Sequence, residues 1–93
     1  MSEPYAILIT TRADRDLQRL PEKIATACVE FILGALAENP HRVGKPLRDE
    51  VAGLHSARRG DYRVVYAIAD DIGAVVIVHI GRRSDVYRSR PPH

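Results

Sequence analysis

The sequence predicts an α+β domain in which a helical hairpin packs on one face of a curved, mostly antiparallel sheet. Three observations predict it. A short apolar run at residues 5–10 has the length of one strand. Residues 11–38 carry apolar side chains at helical spacing, interrupted at Pro21. Residues 54–80 hold three strand-like segments separated by two short turns. The order is β-α-α-β-β-β: an N-terminal strand, a helical hairpin, then a three-stranded antiparallel meander. The helices cover one face of the sheet, and the other is left open.

Each element has a local reason. Residues 5–10, Tyr-Ala-Ile-Leu-Ile-Thr, predict a buried strand. Thr11 with Asp14 three residues later has the spacing of a capping box and opens the first helix. Ala13, Leu17 and Leu20 are its inward side. Pro21 stops that helix and suits the start of the next. Ile24, Cys28, Phe31, Ile32, Ala35 and Leu36 form one stripe down to about Glu38, and Asn39-Pro40 ends it. Residues 39–53, with Pro40, Gly44, Pro46 and Gly53, predict irregular chain. Strands follow at about 54–59, 62–69 and 74–80, with turns at Gly60-Asp61 and Asp70-Asp71-Ile72-Gly73. In the middle strand Tyr62, Val64, Tyr66 and Ile68 face one way, and Arg63, Val65 and Ala67 the other. Residues 89–93 predict a loose tail.

Bulk properties bound the function. A length of 93 residues fits one domain, 1–93, and limits the core it can bury. The net charge is only +2, yet ten of the fourteen basic residues follow Pro40. Such asymmetry is a footprint for phosphate. The single Cys28 excludes an internal disulfide, fits a reducing compartment, and reads as a buried hydrophobe. No apolar stretch reaches membrane-spanning length, and the N-terminus lacks a signal peptide pattern. The expected location is the cytoplasm, with no membrane partner. No His, Cys and acid cluster has ligand spacing, and no glycine-rich phosphate loop precedes a helix, so no metal and no cofactor are expected.

The basic residues fall into three groups: Lys45 and Arg48; Arg58, Arg59 and Arg63; and Arg82 and Arg83, with Tyr87 four residues beyond Arg83. Arginine grips phosphate through a planar, permanently charged fork. Arginine with tyrosine suits RNA, whose bases stack and whose phosphates need cations. Cleavage asks for more. The 2′-hydroxyl must lose a proton, charge on the phosphoryl oxygens must be stabilised, and the leaving 5′-oxygen must gain a proton. Arg63 and Arg83 are suited to the charge, and Tyr87 to proton transfer or stacking. Tyr62 and Tyr66 read as packing residues, and His79 as a structural histidine.

Asn39-Pro40 through Lys45-Pro46-Leu47, Ala52-Gly53-Leu54, the stretch Ala57-Arg58-Arg59-Gly60-Asp61-Tyr62-Arg63-Val64-Val65-Tyr66, Gly81-Arg82-Arg83 and Asp85-Val86-Tyr87 together resemble the RelE/ParE superfamily of type II toxins, its RelE-like branch in particular. The resemblance spans nearly the whole chain in element order. It implies a ribosome-dependent, metal-independent endoribonuclease that cuts mRNA in the A site by 2′-hydroxyl attack. It implies catalytic roles for Arg63, for Tyr87 and for Arg83, with Arg82 the neighbouring choice; Arg58 supplies further charge. Lys45, Arg48, Arg59 and Arg82 become RNA or rRNA contacts. It implies as partners a cognate RelB-like antitoxin, the ribosome and mRNA, and operator DNA only through the antitoxin. The first hairpin strand departs from the pattern: it reads His55-Ser56-Ala57-Arg58, without the lysines that help activate the 2′-hydroxyl. His55 is the chemically sensible candidate for proton transfer. Two other functions fit the same resemblance: a ParE-like DNA gyrase inhibitor, and a degenerate toxin that only binds its antitoxin.

Overall fold

The computed structural model describes residues 3–82. Its elements are β1 (Ala6–Ile9), α1 (Thr11–Arg19), α2 (Glu22–Phe31), α3 (Pro40–Val43), β2 (Lys45–Pro46), β3 (His55–Arg59), β4 (Tyr62–Ala69) and β5 (Ala74–Arg82). The strands make one sheet in the order β1-β5-β4-β3-β2. β2, β3, β4 and β5 pair antiparallel, and β1 lies parallel to β5 with Ile7 opposite Val75 and Ile9 opposite Ile77. This is the α+β fold expected from the sequence, with its meander at residues 55–82. Arg83, Tyr87 and the expected tail at 89–93 lie outside the described residues.

The core is the helix-facing side of the sheet. Ala57, Val64, Tyr66, Val75, Ile77 and Ile80 meet Ala13, Cys28, Ile32 and Leu36, all at most 2% exposed. The alternation along β4 is the predicted one. On β5 the inward positions Ile77 and Ile80 are three apart, because Val65 pairs with His79 while Tyr66 pairs with Ile77. Val78 is thus an extra residue, a bulge that lets both isoleucines point inward.

Four local expectations are corrected. The 5–10 segment is not a buried strand: Leu8 and Ile9 are 49% and 45% exposed, because β1 is an edge strand whose outer side no other strand covers among the described residues. The helix cap is Thr10, not Thr11; its hydroxyl accepts the Ala13 amide at 3.1 Å and donates to Ile77 O at 2.9 Å. Residues 39–53 are not wholly irregular. Pro40 starts α3, Lys45-Pro46 adds a fifth strand, and Asp49–Val51 makes one 3₁₀ turn. The stripe on the second helix also shifts. Ile32–Leu36 is a π turn that continues α2, and a five-residue turn advances the helix phase by one position. Ala37 is therefore buried and Ala35 exposed.

Gly44 sits where the α3–β2 corner passes over β4. A Cβ there would collide with the Tyr66 hydroxyl and stand 2.8 Å from Ser56 O. The Tyr66 hydroxyl needs that space, since it donates to Pro40 O at 2.6 Å inside the core. Burial pushes its phenol up to about 12, so Tyr66 is a structural hydrogen-bond donor.

Candidate functional site

The face of the sheet turned away from the helices gathers part of the expected set. Antiparallel register puts Arg58 directly opposite Arg63, and Arg63 opposite Gly81. Residues directly opposite share a face. Two arginines therefore stand side by side, and Gly81 presents no side chain beside them. The next row along the strands holds Lys45, Ser56 and Val65, so Lys45 belongs to the same face. The Gly60-Asp61 turn makes this pairing: Gly60 takes φ +62°, a left-handed conformation that glycine adopts without strain. Arg58 Nε donates to Gly60 O at 3.1 Å, which steadies the arginine over the turn.

The remaining arginines go elsewhere. Arg59 pairs with Tyr62, and Tyr62 with Arg82. One register step from Arg58 and Arg63 is the opposite face, so Arg59 and Arg82 lie on the helix side. Arg59 and Tyr62 border α2 near Cys28. Burial pushes the Cys28 thiol up, against a smaller opposing effect of the Arg59 charge, and leaves it unsuited to nucleophilic work. Arg48 is exposed in the loop between β2 and the 3₁₀ turn.

His55 is separated from the arginines it was expected to serve. It pairs with Tyr66 and lies on the core side, two residues before the buried Ala57. Its ring stacks on Tyr66 with centroids 5.6 Å apart and meets His41 edge-on at 6.1 Å. Burial, and next the nearby His41 charge, lower its pKa, so it is uncharged at neutral pH. His41 in turn holds Asp70: Nε2 is 2.9 Å from Oδ2, and the Tyr5 hydroxyl donates to Oδ1 at 2.5 Å. The Tyr5 and His41 hydrogen bonds hold the Asp70 carboxyl below the usual carboxylate range, and the bond to Asp70 pushes the Tyr5 phenol up. This network ties β1, α3 and the β4–β5 turn together. It is structural, and it stands apart from the Arg58–Arg63 row.

A second constellation was not anticipated from the sequence. β1 ends at Ile9, so β5 beyond Ile77 loses its strand neighbour. α1 takes over that edge. Asp16 Oδ2 accepts the Ile80 amide at 3.0 Å and His79 Nδ1 at 2.6 Å, both largely buried. His79 is thus the structural histidine expected. Above this contact opens a cleft of about 780 Å³ lined by Arg12, Arg15, Arg19 and Arg82 together with Asp16, Tyr62 and His79. The arginines at 12, 15 and 19 have the i, i+3, i+7 spacing of one helical stripe. That spacing was readable; their meeting with Arg82 required the fold. Among the described residues, no group of His, Cys, Asp and Glu has the arrangement of a metal site.

Comparison with known proteins agrees with this architecture. The family described as the ParE toxin of the type II toxin-antitoxin system, parDE, matches residues 7–87. The chain belongs to the RelE/ParE superfamily of type II toxins. Two relatives refine the placement. It is 67% identical to "Toxin RelE" of Mycobacterium tuberculosis over 95% of this chain and 91% of that one. It is 53% identical to "Toxin RelG" of the same organism over 91% and 98%. Among solved structures it is similar to a chain of the toxin–antitoxin complex RelBE2 from Mycobacterium tuberculosis, with a TM-score of 0.86 and 50% identity over 91% and 98% of the two chains. The archaeal RelE–RelB complex from Pyrococcus horikoshii shares the fold at a TM-score of 0.68 and 24% identity, over 87% and 97%. The chain is a RelE-like toxin of a type II toxin–antitoxin system.

Proposed function

We propose that this toxin is a ribosome-dependent, metal-independent endoribonuclease that cuts mRNA in the A site and so inhibits translation in the cytoplasm. The observation that carries the reading is the Arg58–Arg63 pair on the helix-free face, with Lys45 in the next row. Two guanidinium groups side by side suit a phosphoryl group that gains negative charge as the 2′-oxygen attacks. Arg63 is assigned the phosphoryl oxygens. Arg83 is assigned further charge and Tyr87 proton transfer or base stacking, both from the resemblance. Among the described residues, His55 faces the core and His79 is held by Asp16, so neither is placed to take the 2′-hydroxyl proton. The reaction then leans on charge stabilisation and on alignment of the RNA by the ribosome. Lys45, Arg48, Arg59 and Arg82 are assigned to RNA or rRNA. A RelB-like antitoxin is the assigned partner, because related toxins are found in RelB complexes, and operator DNA is reached only through it.

Expression without antitoxin should arrest growth and leave mRNA cut within codons, read by primer extension. Arg63→Ala, Arg83→Ala and Tyr87→Phe should each abolish the cuts while the protein stays folded. Full cutting by all three variants would defeat the assignment. The family match to ParE toxins supports a second reading as a gyrase inhibitor. Intact mRNA accompanied by DNA damage would select it.

A further inference from the structure

We propose that Lys45 is the general acid of the cleavage: its ammonium group gives a proton to the 5′-oxygen that leaves the scissile phosphate. The inference deepens the ribonuclease reading, rests on it, and assigns the site a proton donor.

The fold fixes Lys45 beside the arginine pair. Lys45 and Pro46 form a two-residue strand at the sheet edge, paired with Ser56 and His55 of β3. The Leu47 amide donates to Leu54 O at 2.8 Å and continues that ladder. On the other side, Gly44 passes so close to β3 that a Cβ would stand 2.8 Å from Ser56 O. Lys45 is thus held at its backbone while its side chain is exposed. Register puts it directly opposite Ser56, and so diagonal to Arg58, two residues further along β3. Diagonal neighbours lie about 7–8 Å apart, within reach of long side chains. Arg58 in turn stands opposite Arg63. Ser56, between them, is too small to keep them apart. A phosphate gripped by the two arginines therefore lies within reach of the Lys45 ammonium. Among the described residues, no carboxylate pairs with Lys45.

Chemistry selects Lys45 from its neighbours. As the 2′-oxygen bonds to phosphorus, the bond from phosphorus to the 5′-oxygen breaks, and its electron pair stays on that oxygen. The leaving oxygen then needs a proton. Arg58 and Arg63 stabilise charge but keep their protons, because a guanidinium does not deprotonate in proteins. Ser56 is 6% exposed, and its hydroxyl is covered. His79, opposite Val65 in the row of Ser56, is held by Asp16. Among the described residues of these two rows, the exposed ammonium of Lys45 is the group left with a proton to give. That proton passes to the 5′-oxygen, and the products are a 5′-hydroxyl end and a 2′,3′-cyclic phosphate end. The 2′-hydroxyl proton goes to water, and the Lys45 amine regains a proton from water. Nothing is oxidised or reduced.

The test uses ribosomes programmed with a synthetic mRNA in which sulfur replaces the 5′-oxygen at the mapped cut. A thiolate leaves without being protonated, so this RNA needs no general acid. Single-turnover cleavage with toxin in excess compares it with ordinary RNA. Lys45→Arg keeps the positive charge and removes the transferable proton. It should cut ordinary RNA about 10²–10⁴-fold more slowly than wild type, the usual contribution of a general acid. It should cut the sulfur RNA at the wild-type rate, which also shows that the variant is folded and bound. Equal slowing on both RNAs would make Lys45 an RNA contact only and overturn the inference. Wild-type cutting of ordinary RNA by Lys45→Arg would overturn it too. So would rescue by sulfur of Tyr87→Phe in place of Lys45→Arg. In each of these cases wild type still cuts, and the ribonuclease reading stands. A wild type that leaves both RNAs intact would overturn that reading and the inference together.

Discussion

Replacing Tyr66 by Phe removes one oxygen from the middle of the core. The ring is 0% exposed and its hydroxyl donates to the Pro40 carbonyl at 2.6 Å. Pro40 is itself buried, so no bulk water reaches the orphaned carbonyl. Leaving a buried acceptor unsatisfied costs about 1–3 kcal/mol. In a domain of this size each kcal/mol moves the melting midpoint by about 4–8 °C, so Tyr66→Phe should melt about 5–20 °C lower. Circular dichroism melts in matched buffers measure it. The pH dependence adds a second check. The folded phenol sits at about 12, above its ordinary value of 10.0, so wild type gains stability from the neutral phenol below pH 10. That gain is lost as pH rises from 10 toward 12. The phenylalanine variant has nothing to titrate there. The gap between the two proteins should be constant through neutral pH and close above pH 10. A variant melting within about 1 °C of wild type would refute the reasoning, because another donor must then serve Pro40.

Two other outcomes follow from the same corner of the fold. Gly44→Ala should lower the urea midpoint by an amount equivalent to about 1–3 kcal/mol, since the new Cβ meets the Tyr66 hydroxyl and the Ser56 carbonyl, and backbone cannot swing aside. The Asp70 carboxyl is held below its ordinary value of 3.8, so its contribution is present above that pH and disappears as pH falls through the folded value. Asp70→Asn should therefore flatten the acid limb of stability below pH 4 relative to wild type, measured by melts across an acid series.

Much of the fold was legible because periodicity reports it directly. Tyr62, Val64 and Tyr66 alternate with Arg63 and Val65, and the structure places them on the two faces as the alternation requires. Periodicity is blind to what lies beside a strand. The apolar 5–10 run looked buried because sequence does not show that β1 takes an edge. Thr10 became the cap because β1 ends at Ile9 and its hydroxyl reaches Ile77 O. The π turn escaped because five-residue winding has no mark beyond an ordinary glycine, Gly34.

The site was partly legible for a similar reason. Arg58 and Arg63 flank a two-residue turn, so their pairing follows from hairpin register. Arg59 was grouped with them by proximity in sequence, and Arg82 with Arg83; one register step puts Arg59 and Arg82 on the other side. His55 was chosen for its chemistry alone, and its direction depended on pairing with Tyr66. Arg12, Arg15 and Arg19 were among the four basic residues before Pro40 and were not grouped. Their place in one cleft with Arg82 follows from α1 covering the bare edge of β5.

The parallel pairing of β1 with β5 bears on how the chain folds. Ala6 meets Ala74 and Ile9 meets Ile77, so the first strand finds its neighbour only 68 residues further along the chain. Contacts between distant residues close late, because the loop between them must first be ordered. The helical hairpin and the β3–β4 hairpin can form early from local sequence. Neither has a complete core without β5, which contributes Val75, Ile77 and Ile80. During synthesis the N-terminal strand waits with its apolar residues uncovered until β5 is made. The sheet can close only once β5, more than sixty residues after β1, is in place.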